Sequence, residues 1–292
     1  MQKINKNSKS KKGPIFFAIL AALLYAINAP FSKLLLEFIP PTMLAGLLYL
    51  GAGIGMIIIK LFRIKSNKNT EESLSKSDLP NILAMIILDI LAPIFLMLGL
   101  SSASAANVSL LNNFEIVATS IIAMMIFKEH ISKKLWISIA LVTIASIILS
   151  VDDISSLKFS SGSLFVIAAC ICWGFENNCT RNLSSKDPLD IVMLKGIFSG
   201  LGAVIISIFI GEKLFTTNYI FIALLLGFVS YGLSIYFYIY AQRFLGAAKT
   251  STYYAIAPFV GTIISLLVFK ELPSLSFIIA LIIMILGVNL AD

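Results

Sequence analysis

The sequence predicts an all-α integral membrane protein with ten transmembrane helices, built as two inverted five-helix repeats. Three observations carry that expectation. The 292 residues are 59% hydrophobic and only 13% charged, with a mean hydropathy of +0.97, whereas soluble domains run at about 45–50% apolar and about 25% charged. The apolar residues come in blocks close to the ~20 residues a helix needs to cross ~30 Å of hydrocarbon. The third is that the second half of the chain repeats the first after an odd number of blocks.

The blocks lie at roughly 15–35, 42–62, 81–100, 105–126, 135–150, 163–182, 189–210, 218–242, 247–268 and 274–290. The basic opening MQKINKNSKSKKGP (1–14) reads as a cytoplasmic tail rather than a secretory signal, because no small-residue cleavage pattern ends the run behind it. Residues 15–150 then form the first five-helix repeat, 151–162 a linker and 163–292 the second repeat. With the N-terminus inside and ten crossings, seventeen of the 22 Lys and Arg residues fall on the cytoplasmic side. Four fall outside and Lys195 lies within a helix. This bias follows the positive-inside rule and puts both termini in the cytoplasm of a multi-pass protein of the cell membrane. The net charge of +7 is therefore no sign of nucleic-acid binding.

The repeat is explicit. AANVSLLNNFEIVATSIIAMMIFKE (105–129) aligns without a gap on AAKTSTYYAIAPFVGTIISLLVFKE (247–271), at an offset of 142. Earlier in each half the offset is 148, which sets Tyr25-Ala26-Ile27-Asn28 on Trp173-Gly174-Phe175-Glu176 and Lys33 on Arg181. After five crossings the second copy enters from the opposite face. The halves are then related by a pseudo-two-fold axis in the membrane plane, a plan secondary transporters use to place substrate at the repeat interface near the midplane.

With its aromatic-rich opening helices and its AA…FKE…G ending in each half, the chain resembles the EamA domains of the drug/metabolite transporter superfamily, as two tandem copies over nearly its whole length. The resemblance implies a 5+5 fold and transport of a small metabolite, amino acids, amines and sugars being among the family's substrates. The chain departs from the family pattern at three places. Ile116 holds the place of Pro258, Ala145 that of Gly287, and Tyr25 stands where a tryptophan is usual.

Four ionisable residues sit inside the helices, and none has an ionisable carboxyl or amine as its repeat mate. Asp89 matches Tyr231, Glu115 matches Ala257, Glu176 matches Asn28 and Lys195 matches Leu47. An intramembrane charge costs roughly 2.5–3.5 kcal/mol on insertion scales, so each needs a partner or a wet cavity. Glu176 and Lys195 lie at similar depths, ~8–9 Å from the cytoplasmic side at ~1.5 Å per residue, on consecutive antiparallel helices. They read as an ion pair that serves as a gate or clasp. Asp89 and Glu115 lie deeper, ~12–15 Å in on the same rise, and read as carboxyls without a buried cation partner. Asn112, Glu115 and Thr119 share one helical face. Asp89 and Glu115 either bind a cationic substrate, carry protons, or one is a protonated structural acid. The aromatic residues Trp173, Tyr231, Tyr238 and Tyr253 complete the expected substrate or proton-coupling set, since an organic cation gains ~0.5–2 kcal/mol over each ring.

No G-x-x-x-x-G-K-[ST] loop for ATP occurs. Cys170, Cys172 and Cys179 match no usual zinc spacing. The expectation is a non-enzymatic secondary transporter of a small organic metabolite, such as a cationic amine or an amino-acid-like solute, working by alternating access with protons as coupling ions. Its partners are then the substrate, the lipid bilayer and protons, with no cofactor, no metal and no nucleic acid. The rival readings are a flippase for an amphiphilic or lipid-linked amine and, less well supported with one histidine (His130), an intramembrane enzyme or an assembly protein.

Overall fold

The computed structural model describes residues 12–65, 72, 74–127, 132–153, 158–213, 218–245, 250 and 253–290. The first half runs α1 (Lys12–Ala26), α2 (Asn28–Leu35), α3 (Pro41–Lys65), α4 (Leu79–Ser102), α5 (Ala105–Leu111), α6 (Phe114–Phe127) and α7 (Lys133–Ser150). A short antiparallel pair, β1 (Val151–Asp153) with β2 (Lys158–Phe159), joins it to the second half. There follow α8 (Ser161–Leu183), α9 (Pro188–Leu194), α10 (Gly200–Phe209), α11 (Asn218–Gly227), α12 (Ser234–Leu245), α13 (Ala257–Phe269) and α14 (Leu275–Leu290). Two π-helical turns, Lys195–Ser199 and Phe228–Leu233, splice α9 to α10 and α11 to α12.

Of the ten crossings the sequence predicts, seven are long and apolar enough among the described residues to span a bilayer, by length and composition alone. Helices α13 and α14 are apolar but shorter. Helix α8 has 23 residues but carries the polar run from Glu176 to Asn182.

Three crossings are broken. Pro30 has no N–H, so the Ala26 carbonyl loses its partner four residues on, and the chain turns at Ile27 between α1 and α2. A second break falls at Asn112–Asn113 between α5 and α6, and a third at Ala255–Ile256 just before α13, where Pro258 occupies the first turn. The second and third breaks fall within one residue of matching places in the repeats. The first half makes its break with two asparagines where the second uses a proline.

The halves interlock rather than stand apart. Helix α4 packs most extensively on α8, α1 on α12, α7 on α14, α5 on α13, and α3 on α10, α11 and both π turns. Exchanging the repeats turns the α4–α8 contact into the α12–α1 contact and leaves α7–α14 and α3–α10 unchanged, whereas the extensive α3–α11 packing answers to a smaller contact between α10 and α4. Buried apolar side chains fill these seams, among them Leu44, Leu48, Leu96, Met97 and Leu110.

Helix α3 runs through the middle and is tied at both ends. At one end Glu212 accepts hydrogen bonds from the N–H groups of Thr42 (3.1 Å) and Met43 (2.8 Å), satisfying donors the helix start leaves open. At the other end Arg63 pairs with Asp187 and Lys60 with Asp190. Between them α3 meets the first π turn backbone to backbone, and a Cβ on Gly196 would collide with Gly53. Gly196→Ala is therefore expected to cost about 1–3 kcal/mol, read as a lower thermal midpoint of the purified protein in detergent.

Candidate functional site

A cavity opens among α1, α3, α6, α8, α12 and the residues between them, with about 80 Å³ of space for the centres of water-sized molecules. One buried water needs ~10–15 Å³ by the same measure, so the space takes several waters or a small solute. Aromatic rings from Tyr25, Tyr49, Trp173, Tyr231, Tyr238 and Tyr254 form much of the wall. They hold one another in place: Tyr25 packs edge-on to Tyr231 at 5.8 Å between ring centres, and Tyr238 edge-on to Tyr254 at 4.9 Å.

The ionic wall is a bridged triad. Lys195, the first residue of the π turn after α9, places its Nζ 2.8 Å from Glu176 Oε1 and 3.1 Å from Asp89 Oδ2. Tyr49 Oη donates to the other Asp89 oxygen at 2.9 Å, and Thr180, one turn after Glu176, donates to Glu176. Asp89 is fully buried, while Glu176 and Lys195 also line the cavity. The expected Glu176–Lys195 contact is present. The expectation that Asp89 lacks a cation is corrected, since an ammonium has three donors and this one serves two acids.

Glu115 stands apart from the triad, in the first turn of α6, and also lines the cavity. Asn177 Nδ2 donates to its Oε1 at 2.6 Å and reaches Thr119 at 3.4 Å. Among the described residues no lysine or arginine pairs with it. Asn177, placed by α8, is thus the polar contact that fixes this carboxylate, and it too lines the cavity.

The structure brings Glu115, Trp173, Glu176, Lys195, Tyr231 and Tyr238 together around one space, with Asp89 directly behind Lys195. Asn112 and Tyr253 do not line it. Asn112 is buried in the break before α6, with no hydrogen-bond partner for its Oδ1, and Tyr254 rather than Tyr253 faces the cavity. Thr119 shares the Glu115 face as its spacing implies, whereas the break rotates Asn112 out of that register. Tyr49, Asn177 and Thr180 complete the site.

A further regularity links this wall to the rest of the protein. Asn28 and Tyr231, the repeat mates of Glu176 and Asp89, are hydrogen-bonded to each other, with Asn28 Nδ2 donating to Tyr231 Oη at 3.1 Å. Ser32, the mate of Thr180, donates back to Asn28 Oδ1 at 3.1 Å, as Thr180 does to Glu176. The repeat thus yields the same cluster twice, each drawing residues from both halves, ionic in one and neutral in the other.

Residues 12–151 and 160–291 each match the EamA-like transporter family. The chain belongs to that family. It is a multi-pass membrane protein with two tandem EamA domains. A protein named Uncharacterized transporter from Methanothermobacter thermautotrophicus is 24% identical over 287 residues, covering 92% of this chain and 83% of its own length. The Uncharacterized transporter YyaM of Bacillus subtilis is 26% identical over 252 residues, 81% of this chain and 79% of its own. A solved crystal structure, 17% identical, resembles this one with a TM-score of 0.67 over 97% of each chain, a likeness of fold alone. Within this transporter family the aromatic cavity and its acidic walls are the candidate transport site.

Proposed function

We propose that this EamA protein is a secondary active transporter that carries a small organic cation across the cell membrane by alternating access. The observation that carries the reading is Glu115, a half-buried carboxylate with no cationic partner among the described residues, opening on an aromatic-walled cavity. An ammonium or guanidinium placed there gains a charge-assisted hydrogen bond and cation–π contact with the surrounding rings. Lys195 cannot supply that charge, because Asp89 and Glu176 already hold it.

The moving frame in this reading is ten crossings in two inverted repeats with both termini in the cytoplasm. The correspondence of the α4–α8 and α12–α1 contacts and the matched Asn28 and Glu176 clusters support it. Protons compete with substrate for Glu115, so one carboxylate can serve a cation in one direction and a proton in the other. Asp89 is then the buried anchor of Lys195, and Asn112 a support of the α5–α6 break rather than a ligand.

The test is a thermal-shift screen of the purified protein with guanidine, ethylamine, choline and phenethylamine against acetate, glutamate and glucose, at pH 6 and pH 8. Stabilisation by the cations, weaker at pH 6, is the expected result. Stabilisation by neutral or anionic solutes that Glu115→Gln leaves unchanged would contradict the reading and direct attention to Lys195.

A further inference from the structure

The cavity is bordered by two clusters, and both are engaged in the structure. On one side it runs along Glu176, Asn177 and Thr180 in the last third of α8 and along Tyr238 and Ile239 of α12. On the other it is lined by Tyr231, whose hydroxyl accepts from Asn28, and Asn28, Ser32 and Ser230 are all at most 1% exposed. Asn28 lies five residues before Lys33, as Glu176 lies five before Arg181. In an inverted repeat, that equal spacing puts the two clusters at equal depths from opposite faces.

We propose that Asn28, Ser32 and Tyr231 form the gate that seals the cavity toward the outer face, the neutral counterpart of an ionic inner gate made by Asp89, Lys195 and Glu176. The inference rests on the alternating-access reading and goes beyond it by assigning the gates. In the structure the neutral cluster is engaged: Asn28 binds the Tyr231 hydroxyl and accepts from Ser32. Tyr231 thereby presents its ring to the cavity as a lid whose position an amide on α2 sets. Leu47, where the other copy has Lys195, leaves this gate without a charge to separate when it opens. The two gates therefore differ in strength. The neutral one opens by breaking hydrogen bonds between uncharged groups, whereas the ionic one must part a buried ammonium from carboxylates.

The test reads accessibility and needs no known substrate. In protein with Cys170, Cys172 and Cys179 replaced by alanine, Ile235→Cys places one thiol on the cavity wall, a turn beyond Tyr231. A membrane-impermeant maleimide is applied to sealed vesicles of each orientation. Tyr231→Phe and Ser32→Ala each remove one hydroxyl and little volume. Each is expected to raise the ratio of outer-face to inner-face labelling about five- to tenfold, the effect of one lost hydrogen bond. A ratio within twofold of the parent in both variants, in protein that elutes as a single species, overturns the gate. Failure of alternating access itself looks different: the parent would be labelled from one face only, and the variants' ratio would still decide whether this cluster seals the other.

Discussion

Glu115→Gln is expected to weaken binding of organic cations roughly ten- to hundredfold, the loss of one charge-assisted hydrogen bond. Glutamine keeps the size of the side chain and an oxygen for Asn177 Nδ2, so the fold and the Asn177 contact survive the change. What it removes is the negative charge in a cavity also lined by Tyr25, Tyr231 and Tyr254. The pH dependence should change with it. In the parent a proton on Glu115 abolishes the charge that attracts a cation, so affinity falls as pH is lowered from 8 to 6. In Glu115→Gln no proton competes at this position, and the remaining weak binding should be flatter over that interval. Titration calorimetry or thermal shift with guanidine and choline at both pH values reads each point. Equal affinity in parent and variant would remove Glu115 from the site.

Lys195→Met is the second large effect, and it acts on stability. The change leaves Asp89 and Glu176, 0% and 2% exposed, as two carboxylates without their shared ammonium. Breaking a buried ion pair by deleting one partner costs about 3–5 kcal/mol. At about 2–4 °C per kcal/mol the thermal midpoint should fall by roughly 6–20 °C. The sign with pH follows from which form of the acids is tolerated once the ammonium is gone. Protonated carboxyls carry no buried charge, so the variant should lose less stability at pH 5 than at pH 8. Adding Asp89→Asn and Glu176→Gln to Lys195→Met should recover most of the loss, because replacing a whole buried ionic group by neutral ones is often close to neutral. A single Lys195→Met variant as stable as the parent at pH 8 would mean that the triad holds nothing together.

The Glu176–Lys195 contact was legible in the sequence because both residues lie on consecutive antiparallel helices at nearly equal counts from the same face. Asp89 was equally placed, two residues deeper by the same count. It read as unpaired because one cation was assigned to one acid. Tyr49 and Asn177 carry weaker signals, a phenol far from either end of its helix and an amide beside a glutamate, and each gains meaning only from what faces it. The choice between Tyr253 and Tyr254 could not be made from spacing, since the break at Ala255–Ile256 resets the helical phase that links them to the face of α13. The break at Asn112–Asn113 does the same to Asn112. The match of Asn28 with Glu176 and of Tyr231 with Asp89 was fixed by the two repeat offsets. That the neutral pair is itself bonded comes from the fold, because the two residues are 203 positions apart.

Transport itself tests the cation reading most directly. Purified protein in liposomes with an acidic interior is given radiolabelled guanidinium or choline outside, permanent charges that do not follow the pH gradient by passive trapping. If Glu115 exchanges a cation for a proton, uptake exceeds that of protein-free vesicles, collapses when the gradient is dissipated, and is lost in Glu115→Gln. Uptake that is the same in parent and Glu115→Gln, or that occurs only with neutral or anionic solutes, would contradict a cation site at Glu115.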